Sequence, residues 1–101
     1  TTKNKAADML ARVEVAWGEI VMAALEPADA PGRVFHASAA RLLAADAALK
    51  NAAACIQIHG GMGFTAEVTA HLYLKRAHTL DLLGGVAREH HLRILDAPAP
   101  V

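Results

Sequence analysis

Four stretches of this chain repeat apolar residues at three- and four-residue steps, and each is closed by proline or glycine. That period is helical. Alanine supplies about a quarter of the residues; it has the best helix propensity and too little volume to fill a sheet sandwich. The expectation is therefore an all-α chain, an up-and-down helical bundle of two long and two short helices packed closely through small side chains.

The first stretch carries Ala6, Met9, Leu10, Val13, Ala16, Trp17, Ile20, Val21 and Ala24 on one face, with Lys5, Asp8, Arg12, Glu14 and Glu19 mostly opposite. It should stop near Glu26, because Pro27 disfavours helical geometry in the residue before it and residues 27–32 are turn-forming. So short a connection predicts an antiparallel pair. The second helix is expected over about 33–58, with an apolar stripe of Phe35, Ala39, Leu42, Leu43, Leu49, Ala53 and Ile56. A third, over about 66–80, should be capped by Thr65 and bury Val68, Leu72, Ala77 and Leu80. A fourth, over about 86–96, is closed by Pro98 and Pro100.

Ten basic residues balance ten acidic ones. Without a basic surplus, neither nucleic acid nor an anionic membrane is expected as a partner. Hydrophobic residues make up 54% of the chain and charged residues 20%, enough apolar material for a core and against disorder. A single cysteine, Cys55, cannot form an internal disulfide and fits a reducing compartment. No apolar run is long enough to span a bilayer, and the first residues lack a signal-peptide core. The sequence thus predicts a soluble, cytoplasmic protein. The absence of an initiator methionine suggests a fragment or processed product.

Few residues announce chemistry. The six histidines lack metal-site spacing: His90 and His91 point about 100° apart on a helix, and Glu67 and His71 are four apart without a second such helix. Cys55 lies among Ala52, Ala53, Ala54 and Ile56, which reads as an inert buried thiol. Ser38 has no acidic or histidine partner at local spacing. What remains is Gln57-Ile58-His59-Gly60-Gly61-Met62-Gly63-Phe64-Thr65, with three glycines in four positions. One reading is a helix terminator and turn. The other is a phosphate or pyrophosphate seat, in which bare backbone N–H groups meet the anion and Gln57 adds an amide. The spacing is neither a P-loop nor a dinucleotide-binding fingerprint.

That segment with the preceding Cys55-Ile56, together with Tyr73-Leu74-Lys75-Arg76-Ala77, resembles the C-terminal helical domain of the acyl-CoA dehydrogenases. Residues 5–14 are similar to a helix of the same domain, so nearly the whole chain, 1–101, is covered as an incomplete C-terminal bundle. The resemblance implies a flavoenzyme whose N-terminal helical and middle β domains are absent from this chain. Such enzymes remove the α and β hydrogens of an acyl-CoA thioester, with hydride transfer to FAD, and electron-transfer flavoprotein reoxidises the flavin. On that basis the fragment contributes an oligomer interface and part of an FAD site, and should not turn over alone.

The resemblance also implies site residues. Gln57, Ile58, His59, Gly60 and Gly61 match the segment that contacts the FAD of a neighbouring subunit, and Gly85 matches a position whose backbone lies near substrate. Many members carry a glutamate base in a Glu-Gly-Thr segment; counting without gaps puts Gly84, Gly85 and Val86 there, so the usual base is missing. Val86 and Arg88 replace groups commonly used near FAD. The base could come from a preceding helix, or the chain could belong to a non-catalytic subunit of a hetero-oligomer. A stand-alone helical interaction module without cofactor is a third reading.

Overall fold

The computed structural model describes residues 2–60, 64–85 and 87–98, without the side chains of 64–67. Four helices account for nearly all of it: α1 (Thr2–Leu25), α2 (Arg33–His59), α3 (Phe64–Leu83) and α4 (Ala87–Asp96). The all-α expectation holds. So does the break at Glu26, where the Ala30 amide donates to the Pro27 carbonyl at 3.0 Å and turns the chain into α2. The third helix is longer than its apolar pattern implied, beginning at Phe64 and running through Leu82 and Leu83 to Gly84. Thr65 therefore lies inside the helix rather than at its cap.

Helix α2 is the hub. It packs against α1, α3 and α4, and among the described residues no other pair of helices meets. The α1–α2 pair is antiparallel: Asn51 reaches the Met9 carbonyl at one end and His36 reaches Glu19 at the other. Arg41 meets Asp81 near the end of α3, so α3 also runs against α2. The short α4 lies along the N-terminal half of α2, beside Arg33 and Val34 near one end and Leu49 near the other.

The faces that pack are not the faces the apolar pattern picked out. On α1 the buried or half-buried line is Met9, Arg12, Ala16, Glu19, Ala23 and Glu26, at steps of three and four. Of the expected apolar stripe only Met9 and Ala16 fall on this line, and the rest looks outward, with Leu10 60% and Trp17 62% exposed. Polar pairing explains the rotation. Arg12 donates to Asn51 Oδ1 at 3.1 Å, His36 Nδ1 lies 2.6 Å from Glu19 Oε1, and His36 Nε2 lies 3.6 Å from Glu26 Oε1. Ala16, at the centre of this line, lets the backbones close up.

The same small-residue logic holds elsewhere. The core is Ala16, Ala40, Ala47, Ala52 and Ala70, and the large stripe residues of α2 are only half-buried. On α3 the packed line is Ala70, Leu74, Ala77 and Asp81, whereas Val68, Leu72 and Leu80 are exposed. Helix α3 is apolar on several sides, so periodicity alone did not set its face.

Two stability predictions follow from this packing. His36→Ala would strand two mostly buried carboxylates, and should destabilise the chain by about 1–3 kcal/mol in urea unfolding. Ala70→Leu should cost about 1–3 kcal/mol by the same measurement, because Ala70 is only 2% exposed and the longer side chain would force α3 away from its contact.

Candidate functional site

Two glycine-bearing corners lie at the two ends of α3. At the first, α2 ends on Gly60 with φ −56° and ψ 122°, ordinary backbone that any residue adopts. A Cβ there would lie 3.4 Å from the Gln57 carbonyl oxygen, a normal contact. Gly60 is thus not demanded by the conformation of this chain. Gly61, Met62 and Gly63 lie outside the described residues.

Around that corner Gln57 is exposed, and Ile58 and His59 are half-buried. His59 turns back on its own helix, Nδ1–H donating to the Cys55 carbonyl at 2.9 Å with Cys55 Sγ 3.4 Å away. The ring nitrogen nearest the thiol therefore carries a proton and does not act as its base. Cys55 is half-buried rather than sealed in, which corrects the expectation of a buried thiol.

Gln57 opens onto a cleft of about 230 Å³ between α1 and α2, lined also by Lys5, Asp8, Arg12 and Lys50. Arg12 is anchored by Asn51, and Lys50 is 3.0 Å from Asp46. Three cationic side chains against the one lining carboxylate, Asp8, leave the cleft net positive, and with the exposed amide they form a donor set that a phosphate or pyrophosphate could use. The sequence pattern found Gln57 but missed the cations, because they come from two helices far apart in the chain.

The second corner, between α3 and α4, is more tightly built. Arg41 Nη2 donates to Asp81 Oδ1 at 2.9 Å, to the Gly85 carbonyl at 3.0 Å and to the Asp81 carbonyl. His90 Nε2 donates to the Gly84 carbonyl at 2.8 Å. Gly85 has φ +91°, in the left-handed region, the one such residue among those described. A Cβ on Gly84 would fall on the Arg41 guanidinium, 2.8 Å from Cζ and Nη2. Both glycines thus have structural reasons: one for backbone conformation, the other for the arginine packed against it. Val86 lies outside the described residues, and Arg88 is exposed. No local spacing signals the Arg41–Asp81 pair, whose members are 40 residues apart.

Comparison with known proteins supplies the lineage of these corners. Residues 1–97 match the family model described as acyl-CoA dehydrogenase, C-terminal domain. The chain belongs to the acyl-CoA dehydrogenase family. It is 44% identical over 89 residues to acyl-CoA dehydrogenase FadE34 of Mycobacterium tuberculosis, covering 85% of this chain and 12% of that protein. It is 37% identical over 76 residues to acyl-CoA dehydrogenase IpdE2 of the same organism, covering 75% of this chain and 22% of that protein. The chain therefore spans less than a quarter of either relative. No solved structure matches it significantly. Among the described residues of this acyl-CoA dehydrogenase domain, no helix is long and apolar enough to cross a membrane.

The two corners should respond differently to substitution. Gly85→Ala should lower stability by about 1–2 kcal/mol through its left-handed backbone, and Gly84→Ala by about 1–3 kcal/mol by displacing Arg41 from its acceptors. Gly60→Ala should stay within about 0.5 kcal/mol of the parent chain. Thermal and urea unfolding of the three variants, side by side, tests this ordering.

Proposed function

We propose that this domain serves a flavoenzyme that dehydrogenates an acyl-CoA thioester between its α and β carbons. Family membership supports that reading, and the observation that carries it to particular residues is the cationic cleft beside Gln57. In this reading Lys5, Arg12 and Lys50, with Gln57 and the backbone of residues 58–61, hold the pyrophosphate of an FAD bound mainly by a neighbouring subunit. Bound FAD would supply the hydride acceptor for the reaction. The contribution of this chain is to bind and orient: glycines at 60 and 61 keep side chains away from the anion, and anchored Arg12 offers a fixed charge.

Gly85 presents backbone to substrate, and the Arg41 and His90 hydrogen bonds hold that corner still. In this reading the α proton goes to a base on a preceding helix, since Gly84, which stands at the usual position, has no side chain. The outward apolar stripe of α1, with Val13 and Trp17, supports an oligomeric protein. Electron-transfer flavoprotein as reoxidant and a cytoplasmic setting complete the proposal.

A second reading has its own support. The Arg41 guanidinium stands where a side chain at position 84 would begin, which favours a non-catalytic subunit within a hetero-oligomer. Co-purification with a partner bearing a Glu-Gly-Thr segment would favour this version. A homo-oligomer with full activity would exclude it.

Flavin retention tests the main claim. In the intact protein carrying this domain, Arg12→Gln with Lys50→Gln, or Gly60→Val with Gly61→Val, should each weaken FAD retention about tenfold or more, read by flavin absorbance after gel filtration. Unchanged retention in both would overturn the FAD assignment.

A further inference from the structure

At the other end of α2, about 28 Å along the helix from Gln57 at 1.5 Å per residue, lies a second polar cleft. It occupies about 230 Å³ between α2 and α4 and is lined by Arg33, Val34, Ala37, Ser38, His90 and Arg93. Ser38 is 4% exposed and His90 7% exposed, so two polar side chains are buried in its wall. Among the described residues His90 Nδ1 is buried without a hydrogen-bond partner, and the Ser38 side chain lines the cleft beside it. His90 Nε2 is already committed to the Gly84 carbonyl. Unsatisfied buried polar groups are uncommon in folded proteins and call for a ligand, ion or ordered water.

The charges around these groups give the sign of that ligand. Arg33 and Arg93 flank the cleft, and among the described residues neither is in an ion pair. The cleft also sits on the first two turns of a 27-residue helix with no acidic residue in its first turn and no side-chain hydrogen bond at its N-cap, Gly32. The Arg33 amide is bonded to the Ala30 carbonyl at 3.2 Å, and the helix macrodipole adds positive character there. Of the nearby carboxylates, Glu19 on α1 and Glu26 just after it are turned to His36, and Glu89 lies beside Gly85.

We infer that the Arg33–Ser38–His90–Arg93 cleft binds a phosphate group. Ser38 donates a hydrogen bond to one oxygen, the arginines supply forked donors to others, and the P–OH of a singly protonated phosphate donates to His90 Nδ1, which is an acceptor because Nε2–H is given to the Gly84 carbonyl. None of these residues belongs to the Gln57 cleft, so this inference stands without the flavin reading.

Titration of the full chain with inorganic phosphate and with adenosine monophosphate, followed by calorimetry and amide NMR, tests the site. Saturable binding is expected, with shifts centred on Arg33–Ser38 and on His90–Arg93. Arg33→Gln and Arg93→Gln, both exposed and safe for the fold, should each weaken it about tenfold, and Ser38→Ala severalfold. Lys50→Gln, in the other cleft, should leave it unchanged. Tighter binding of the nucleotide would identify a phosphorylated nucleoside as the source, and equal binding the free anion. Absence of saturation, or affinity unchanged from the parent chain in both arginine variants, would overturn the proposal.

Discussion

Close approach of helix backbones across alanine is the constraint on which this structure depends. Among the described residues Ala40, Ala47 and Ala52 on α2, Ala16 on α1 and Ala70 on α3 are the buried apolar residues, and no large side chain is fully enclosed. Small residues at a crossing bring axes near the short end of the usual 8–10 Å range. Long polar side chains on the neighbouring turns can then reach across. Arg12 to Asn51, His36 to Glu19 and Arg41 to Asp81 are the results. Alanine sets the distance between helices, and the polar pairs set their rotation.

This division explains what could be read in the sequence. Helix number and most boundaries were legible, because Pro27, Gly60 and Gly84–Gly85 act locally on the backbone. Helix faces were not. Periodicity assigned Leu10, Val13 and Trp17 inward on α1, whereas the packed line carries Arg12 and Glu19. A hydropathy pattern treats a charged residue as solvent-seeking, and it has no means of knowing that a histidine 17 positions away will meet it. The sequence likewise singled out Gln57 through Gly61 by glycine content, but the cations beside Gln57 and the Arg41 clamp required the third dimension.

The two glycine corners show why one composition supports different physics. Gly60 sits in ordinary backbone with room for a side chain, so its identity is free to answer to something outside the chain. Gly84 and Gly85 are bound to their own surroundings, by an arginine in contact and by a left-handed torsion. A glycine pair in a sequence does not say which of these it is.

Among the described residues helix α2 holds three neighbours that do not pack on one another, tied otherwise only by the His90 bond to the Gly84 carbonyl at the α3–α4 corner. Detachment of α1 breaks nothing between α2 and α3, and release of α4 leaves the α1 seam whole. Such an arrangement favours a graded opening in place of a single cooperative event, with amide exchange slowest along the middle of α2 and faster toward the periphery. A surface that clasped both α1 and α3 would couple those separate openings and turn a loosely strung set of helices into one rigid body.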